Sequence, residues 1–108
     1  MADVCQRFGV TPMPLTQDAV VGVSQSARTP GTWPLHGLRH PGTEGASGWF
    51  IWTGEYSEAD DFFVPLHAHH LVEERPELVQ YLSLPPGWRF LIAPDHEDVW
   101  RDPSLLDV

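Results

Sequence analysis

The feature that most restricts the fold of this chain is the alternating segment Trp88–Ala93, which follows directly after Pro85-Pro86-Gly87. Proline cannot continue a helix and glycine permits a sharp turn, so the triplet predicts a change of direction. The segment is apolar on one side and mostly apolar on the other, which predicts a strand covered on both faces. Residues 97–100 are predicted to return as its hairpin partner, through a turn that contains Pro94.

Three more segments, 19–24, 35–40 and 48–53, have the composition and alternation of strands. Segment 48–53 carries large apolar side chains on both faces, as expected in the middle of a sheet. Strands alternating with short helices indicate a single small α+β domain, with a mostly antiparallel sheet of about four to five strands and two short helices. Residues 1–18 are expected to form an N-terminal arm of this domain.

Prolines and capping residues predict where the helices lie. A helical turn is expected over residues 3–8, with Asp3 as its N-cap. A helix beginning at Pro65 is expected to place on one side His67, His70, Leu71 and Glu74. Pro76 would open a second short helix with the buried stripe Leu78, Val79 and Leu82. Asp102 is expected to cap a terminal turn.

Charge is concentrated in one part of the sequence. The chain has fifteen acidic residues, six arginines and no lysine, for a net charge of −9, and thirteen of the acids lie in residues 44–108. This balance argues against nucleic acid and anionic membranes, which bind through basic side chains, and favours a basic partner. The single cysteine, Cys5, and the absence of a signal-like or membrane-spanning segment predict a cytoplasmic protein.

The acids of the C-terminal part are candidates for a protein-binding surface. Four follow the strand at 48–53 and three lie in the terminal hairpin, so the predicted partner-binding set is Glu55, Tyr56, Glu58, Asp60, Asp61, Asp95, Glu97 and Asp98. The aromatic anchors expected near them are Trp33, Tyr56, Phe62 and Phe63, whereas Trp49, Trp52 and Trp88 are assigned to the core. A solvated face that only maintains solubility would explain the same acids.

Two parts of the sequence carry a resemblance to a known family. One is Ser47-Gly48-Trp49 continuing through Gly54-Glu55 into the loop acids, and the other is the run Leu84-Pro85-Pro86-Gly87-Trp88-Arg89-Phe90 followed by Glu97-Asp98-Val99-Trp100. Over residues 45–108 they resemble the immunity-protein-thirty-three class of bacterial polymorphic toxin systems. The resemblance implies a non-enzymatic protein that binds and neutralises a toxin encoded beside it. Members often carry an acid where this chain has Ala46, so no role is carried over to that position.

Two other functions remain open. His67 and His70 would share a helix face and could bind a metal ion, in a metal-binding protein or a hydrolase, although the spacing matches no established zinc motif. A sheet could also present a small-molecule pocket near Arg39, His40 and Trp52. No nucleophile motif is legible, so the chain is expected not to be an enzyme and to need no cofactor.

Overall fold

The structure is a computed structural model that describes residues 4–42 and 45–106. Its helices and strands follow in the order α1 (Val4–Phe8), β1 (Val20–Ser24), β2 (Leu35–Arg39), β3 (Ala46–Thr53), β4 (Phe63–His67), α2 (Ala68–Glu74), β5 (Trp88–Ala93) and β6 (His96–Arg101). Short 3-10 helices lie at Ser26–Arg28, Pro76–Leu78 and Pro103–Leu106. The predicted α+β class is confirmed. The sheet has six strands, one more than the predicted four to five.

The six strands form one sheet in the order β4-β1-β3-β2-β5-β6. Only β1 and β3 run parallel, and every other neighbouring pair is antiparallel. β3 lies inside the sheet, as its apolar faces predicted. The terminal hairpin is also confirmed, since Ala93 pairs with His96 and Trp88 with Arg101.

All of the main core lies on one face of this sheet. Alternate residues of the strands meet both α-helices there, and the buried cluster includes Val4, Cys5, Val21, Val23, Leu35, Trp49, Ile51, Leu71, Leu78, Tyr81, Leu84, Phe90 and Ile92. Trp49 is 1% exposed and donates its indole N–H to the Leu82 carbonyl at 3.0 Å. Trp88 is only half-buried against this cluster. We call this side of the sheet the helix face.

The helix predicted from Pro65 begins three residues later, because residues 63–67 form the strand β4. Pro65 pairs with Gly22 of β1, and β4 is an edge strand with a neighbour on one side only. An edge strand tolerates proline because the missing N–H is not needed for a second neighbour. The prediction gave too much weight to proline as a helix start.

The remaining helix predictions are largely confirmed. Gly9 follows α1 with a φ of 67°, while Asp3, the predicted cap, lies outside the described residues. Asp102 caps the terminal 3-10 helix, accepting the backbone N–H of Ser104 at 3.2 Å. The predicted stripe after Pro76 is wrong at Val79, which is 58% exposed because the segment forms a tight 3-10 turn and not a longer helix.

One buried arginine joins α2 to the loop before β2. Arg75 is 0% exposed and donates to the carbonyls of Ala27 and Thr29 at 2.9 Å and of Thr32 at 3.0 Å. Its guanidinium lies 4.9 Å from the centre of the Trp33 ring and pairs with Glu77. The arginine therefore satisfies carbonyls that a loop of this kind would otherwise leave without donors.

Arg75→Met should lower the free energy of unfolding by about 3 kcal/mol, because it leaves these carbonyls without donors and removes the cation from the Trp33 ring. Urea unfolding measures the loss. Arg28→Met is the matched control: its partly exposed pair with Glu74 should cost no more than about 1 kcal/mol. Equal losses in the two variants would contradict the structural role of Arg75.

A second polar contact ties α1 to the terminal hairpin. Arg7 donates to both carboxylate oxygens of Glu97 at 2.8 Å, and the Tyr81 hydroxyl donates to the same carboxylate. The hydrogen bond from Arg7 lowers the pKa of Glu97 below its ordinary value of 4.5. Burial, together with the hydrogen bond to Glu97, raises the pKa of Tyr81.

Glu97→Gln should lower stability at neutral pH by about 1 kcal/mol, a modest value because the Arg7 and Glu97 side chains are 41% and 30% exposed and solvent screens the pair. A lowered folded pKa means that the ionised carboxylate stabilises the fold above pH 4.5, and that this stabilisation is lost as the pH falls through the folded value. The difference between variant and parent in chemical unfolding should therefore shrink on acidification. A difference that stays constant as the pH is lowered through the folded pKa of Glu97, which lies below 4.5, would refute this contribution.

Candidate functional site

The second face of the sheet carries none of the core cluster. The residues that alternate with the buried ones lie on this side, which we call the open face: Val20, Gly22, His36, Leu38, Phe50, Trp52, Phe63, Pro65, Arg89, Leu91, Asp98 and Trp100. None of them belongs to the cluster that includes α1 and α2. Most are half-buried, and Trp100 is 40% exposed. An apolar, aromatic sheet face that neither α1 nor α2 covers is a candidate interaction surface.

Aromatic side chains pack against one another across the open face. The His36 ring stacks on Trp52 with centroids 5.0 Å apart and planes at 8°, and Phe63 meets Phe50 edge-on at 5.1 Å. Tyr56 belongs to the loop after β3, and its ring centroid lies 5.4 Å from that of Trp52. Trp52 is therefore buried as predicted, but among neighbouring rings on the open face and not under the helices. Burial lowers the pKa of His36, with Arg89 adding to the effect.

A depression of about 370 Å³ lies at one part of this face. Its walls include Val20, Phe50, Phe63 and Pro65, and Gly22 forms part of its lining. A Cβ atom at Gly22 would lie 2.8 Å from the Phe50 ring, so only glycine lets the ring lie there without a shift. The depression is apolar and open enough to receive a side chain of a partner.

The predicted acidic segments lie at one end of the sheet, which we call the acidic end. The ends of β3 and β5 lie close together because both pair with the start of β2: Leu35 is opposite Thr53 on one side and Ile92 on the other. At ordinary strand spacing, Thr53 and Ile92 are therefore about 10 Å apart. The loop after Thr53 carries Glu55, Glu58, Asp60 and Asp61, and the turn after Ile92 carries Asp95. The topology thus brings together acids that are separated by more than thirty residues in sequence.

The acids of the loop after β3 are exposed to solvent. Within residues 4–42 and 45–106, none of Glu55, Glu58, Asp60 and Asp61 forms an ion pair or a side-chain hydrogen bond, and all four are exposed. Asp98 lies on the open face and pairs with His96 at 2.8 Å. Glu97 alternates with Asp98 and therefore points to the helix face, where Arg7 and Tyr81 already occupy its carboxylate.

The other sequence candidates are divided between the two faces. Tyr56, Phe62 and Phe63 form one aromatic group, with Phe62 and Phe63 centroids 4.8 Å apart. Trp33 lies instead under Arg75 and packs against the core. The sequence reasoning missed Leu38 and Leu91 of the open face. Their alternation with buried residues was visible, but it could not distinguish a covered face from an open one.

The small-molecule pocket suggested by Arg39, His40 and Trp52 is not formed. Arg39 points to the helix face and donates to the carbonyls of Ser47 at 3.0 Å and Leu84 at 2.8 Å. His40 and Trp52 lie toward opposite ends of the open face, since Trp52 pairs with His36 four residues before His40. The three side chains therefore do not line one cavity.

The histidine cluster is arranged differently from the prediction. Helix α2 begins at Ala68, so His67 is an extended residue at the end of β4 and does not share a helix face with His70. Their ring centroids are 6.2 Å apart. The potential ligands that do converge are Asp18, His67 and His69, each with one ligand atom within 4.8 Å of the others. Asp18 was missed because it lies 49 residues before His67 in the sequence.

The comparisons with known proteins agree with the sequence resemblance. Among the described residues, no helix is long and apolar enough to cross a membrane. No curated protein and no solved structure matches the chain. The model of the Imm33-like domain matches residues 1–102 and so extends the resemblance to the N-terminal segment. Because this match spans nearly the whole sequence, the chain belongs to the Imm33-like family.

Proposed function

We propose that this protein binds and neutralises a cognate bacterial toxin through its open face and the acidic end beside it. Membership in an immunity-protein family suggests a protein toxin as partner and a non-enzymatic role. The proposal adds that the toxin presents a basic surface and that the complex forms in the cytoplasm without a cofactor. The observation that carries the choice of surface is an aromatic sheet face that neither α-helix covers, next to exposed acids for which the described part of the chain provides no ion-pair partner.

The acids support this surface through their effect on association. Four exposed carboxylates on one short loop, with Asp95 and Asp98 nearby, set up a negative potential that attracts a basic protein and orients its approach. An interface with these charges alone would be weak, because exposed ion pairs contribute little free energy each. The acidic end would therefore raise the rate and selectivity of association more than it would raise the affinity.

The open face supports the affinity. Interfaces gain most of their binding energy from a few aromatic or aliphatic side chains in well-packed, dry contacts. Tyr56 is 57% exposed and Trp100 is 40% exposed, so both can be buried by a partner. The depression bounded by Phe50 and Phe63 can receive an apolar side chain of the toxin. These features make the open face, and not the helix face, the better docking surface.

The proposed contact set follows the sequence prediction with two changes. Glu97 is left out because Arg7 and Tyr81 occupy its carboxylate, and residues of the open face are added. The set is Glu55, Tyr56, Glu58, Asp60, Asp61, Asp95, Asp98, Leu38, Phe50, Phe63 and Trp100.

The direct test uses the protein encoded by the neighbouring gene. Expression of that protein in a bacterial host should stop growth, and co-expression of this chain should restore it. The two proteins should also co-purify as a complex. A neighbouring protein that is neither toxic nor bound would count against the proposed function.

Leu38→Arg should weaken binding of that toxin by about 100-fold or more, because it places a charge at the centre of a dry interface that must receive a basic partner. Leu38 lies between Phe50 of β3 and Arg89 of β5 on the open face. Binding is measured by calorimetry or surface plasmon resonance. Val79→Arg is the matched control, since Val79 is an exposed aliphatic residue of the helix side.

Both variants must first show melting temperatures within a few degrees of the parent, so that a loss of binding is not a loss of fold. Unchanged affinity in folded Leu38→Arg protein, or an equal loss with Val79→Arg, would exclude the open face as the docking surface.

Replacing the four loop acids together, as Glu55→Gln, Glu58→Gln, Asp60→Asn and Asp61→Asn, should lower the association rate constant about tenfold with a smaller effect on dissociation. The rate of the variant should also depend less on salt, because long-range attraction is what salt screens. Stopped-flow measurements over a range of ionic strength test both points. Two single variants give a matched control. Glu58→Gln removes one charge from the acidic end and should slow association, whereas Glu73→Gln removes one charge from α2 and should not.

A further inference from the structure

Three side chains of types that can ligate metal ions lie close together where β1, β4 and α2 meet. Asp18 lies two residues before the start of β1, His67 ends β4, and His69 lies in the first turn of α2. One ligand atom from each lies within 4.8 Å of the other two. This group is separate from the acidic end, because it lies at the opposite end of β4 from the loop acids.

The backbone holds the two segments side by side. The Ala68 N–H donates to the Ala19 carbonyl at 2.9 Å, and the His69 N–H donates to the Gln17 carbonyl at 3.2 Å. Asp18 lies between these two acceptors, while His67 pairs with Val20 in the sheet. The backbone positions of the three residues are therefore set by main-chain hydrogen bonds.

The His69 ring is held by a hydrogen bond to the backbone. Its Nδ1 lies 2.8 Å from the Gln17 carbonyl oxygen. A carbonyl can only accept, so Nδ1 carries the hydrogen, and in the neutral ring Nε2 then has the lone pair that can bind a cation. A hydrogen bond from the second ring nitrogen to a backbone carbonyl is the usual support of metal-binding histidines, where it fixes both tautomer and orientation.

The donor set indicates the class of metal. Two imidazole nitrogens and one carboxylate suit Zn²⁺ and neighbouring transition-metal ions, whereas Mg²⁺ and Ca²⁺ prefer a shell of oxygen atoms. Zn–N bonds of about 2.0–2.1 Å place neighbouring ligand atoms about 3.4 Å apart in a tetrahedron. Asp18 and His67 are exposed, so small rotations of their side chains can close the remaining distance.

We propose that Asp18, His67 and His69 form a binding site for a divalent transition-metal ion such as Zn²⁺, with water in the fourth position. The site does not depend on toxin binding, and the two proposals can fail separately. His70 lies beside it, with its ring centroid 4.1 Å from that of His69, but its Nδ1 faces Glu73 at 3.9 Å and it is not one of the three converging ligands.

The experiment is a calorimetric titration of ZnCl₂ into tag-free protein that has been treated with chelator and dialysed. The parent should bind one Zn²⁺ per chain, and an excess of Mg²⁺ should not compete. Asp18→Asn and His67→Ala should each weaken the binding at least tenfold. Co²⁺ in place of Zn²⁺ should give a visible absorption band in the parent that is lost in both variants.

His96→Gln is the matched control. His96 and Asp98 form an exposed histidine–carboxylate pair at 2.8 Å on the terminal hairpin. They are not among the groups of three potential ligands found in the described residues. Zinc affinity should not change in this variant. The proposal is overturned by binding of less than half an equivalent, by affinity that Asp18→Asn leaves intact, or by equal losses with His96→Gln and His67→Ala. Melting temperatures measured with chelator confirm that every variant is folded.

Discussion

The burial of Trp49 on the helix face is the constraint on which the rest of this structure depends. Trp49 belongs to β3, which lies inside the sheet. Its indole N–H donates to the Leu82 carbonyl at 3.0 Å, and the Phe90 ring packs against the indole with the ring centroids 5.5 Å apart. Arg39 lies over the same ring at 5.9 Å and donates to carbonyls of Met13 and Leu84. One side chain thus gathers the sheet, the segment before β1 and the turns after α2 into a single core.

The second face of the sheet follows from this arrangement. In residues 4–42 and 45–106, both α-helices pack on the helix face, while the open face carries its own aromatic side chains and the loop with Tyr56. Asp102 and the terminal 3-10 helix border this face, since Asp102 pairs with Arg89 at 3.3 Å and the Leu105 carbonyl oxygen lies 3.0 Å from His40 Nδ1. The same topology places the ends of β3 and β5 together, so that the loop acids and Asp95 share one end of the sheet. An apolar face beside an exposed acidic edge supports the proposed docking surface, in which the face would contribute affinity and the edge would speed encounter.

Local patterns predicted much of the fold because they depend on near neighbours. Alternation identified Trp88–Ala93 and 48–53 as strands, and proline with glycine identified the turn before β5. The same reasoning was wrong at Pro65, where an edge strand tolerates a residue that resembles a helix start, and at Val79, where a tight turn replaced a longer helix. It grouped His67 with His70 on an assumed helix face, whereas strand pairing brings His67 to Asp18 and His69.

By itself, the sequence determined the α+β class, five of the six strands, the acidic character and the resemblance to immunity proteins, because periodicity, charge and motifs are properties of contiguous residues. Only the tertiary structure decided which sheet face receives the helices, that Glu97 is held by Arg7 and Tyr81, and that Asp18 meets two histidines. These depend on contacts between residues far apart in the chain, and a strand with apolar side chains on both faces carries no local signal of which face will be covered.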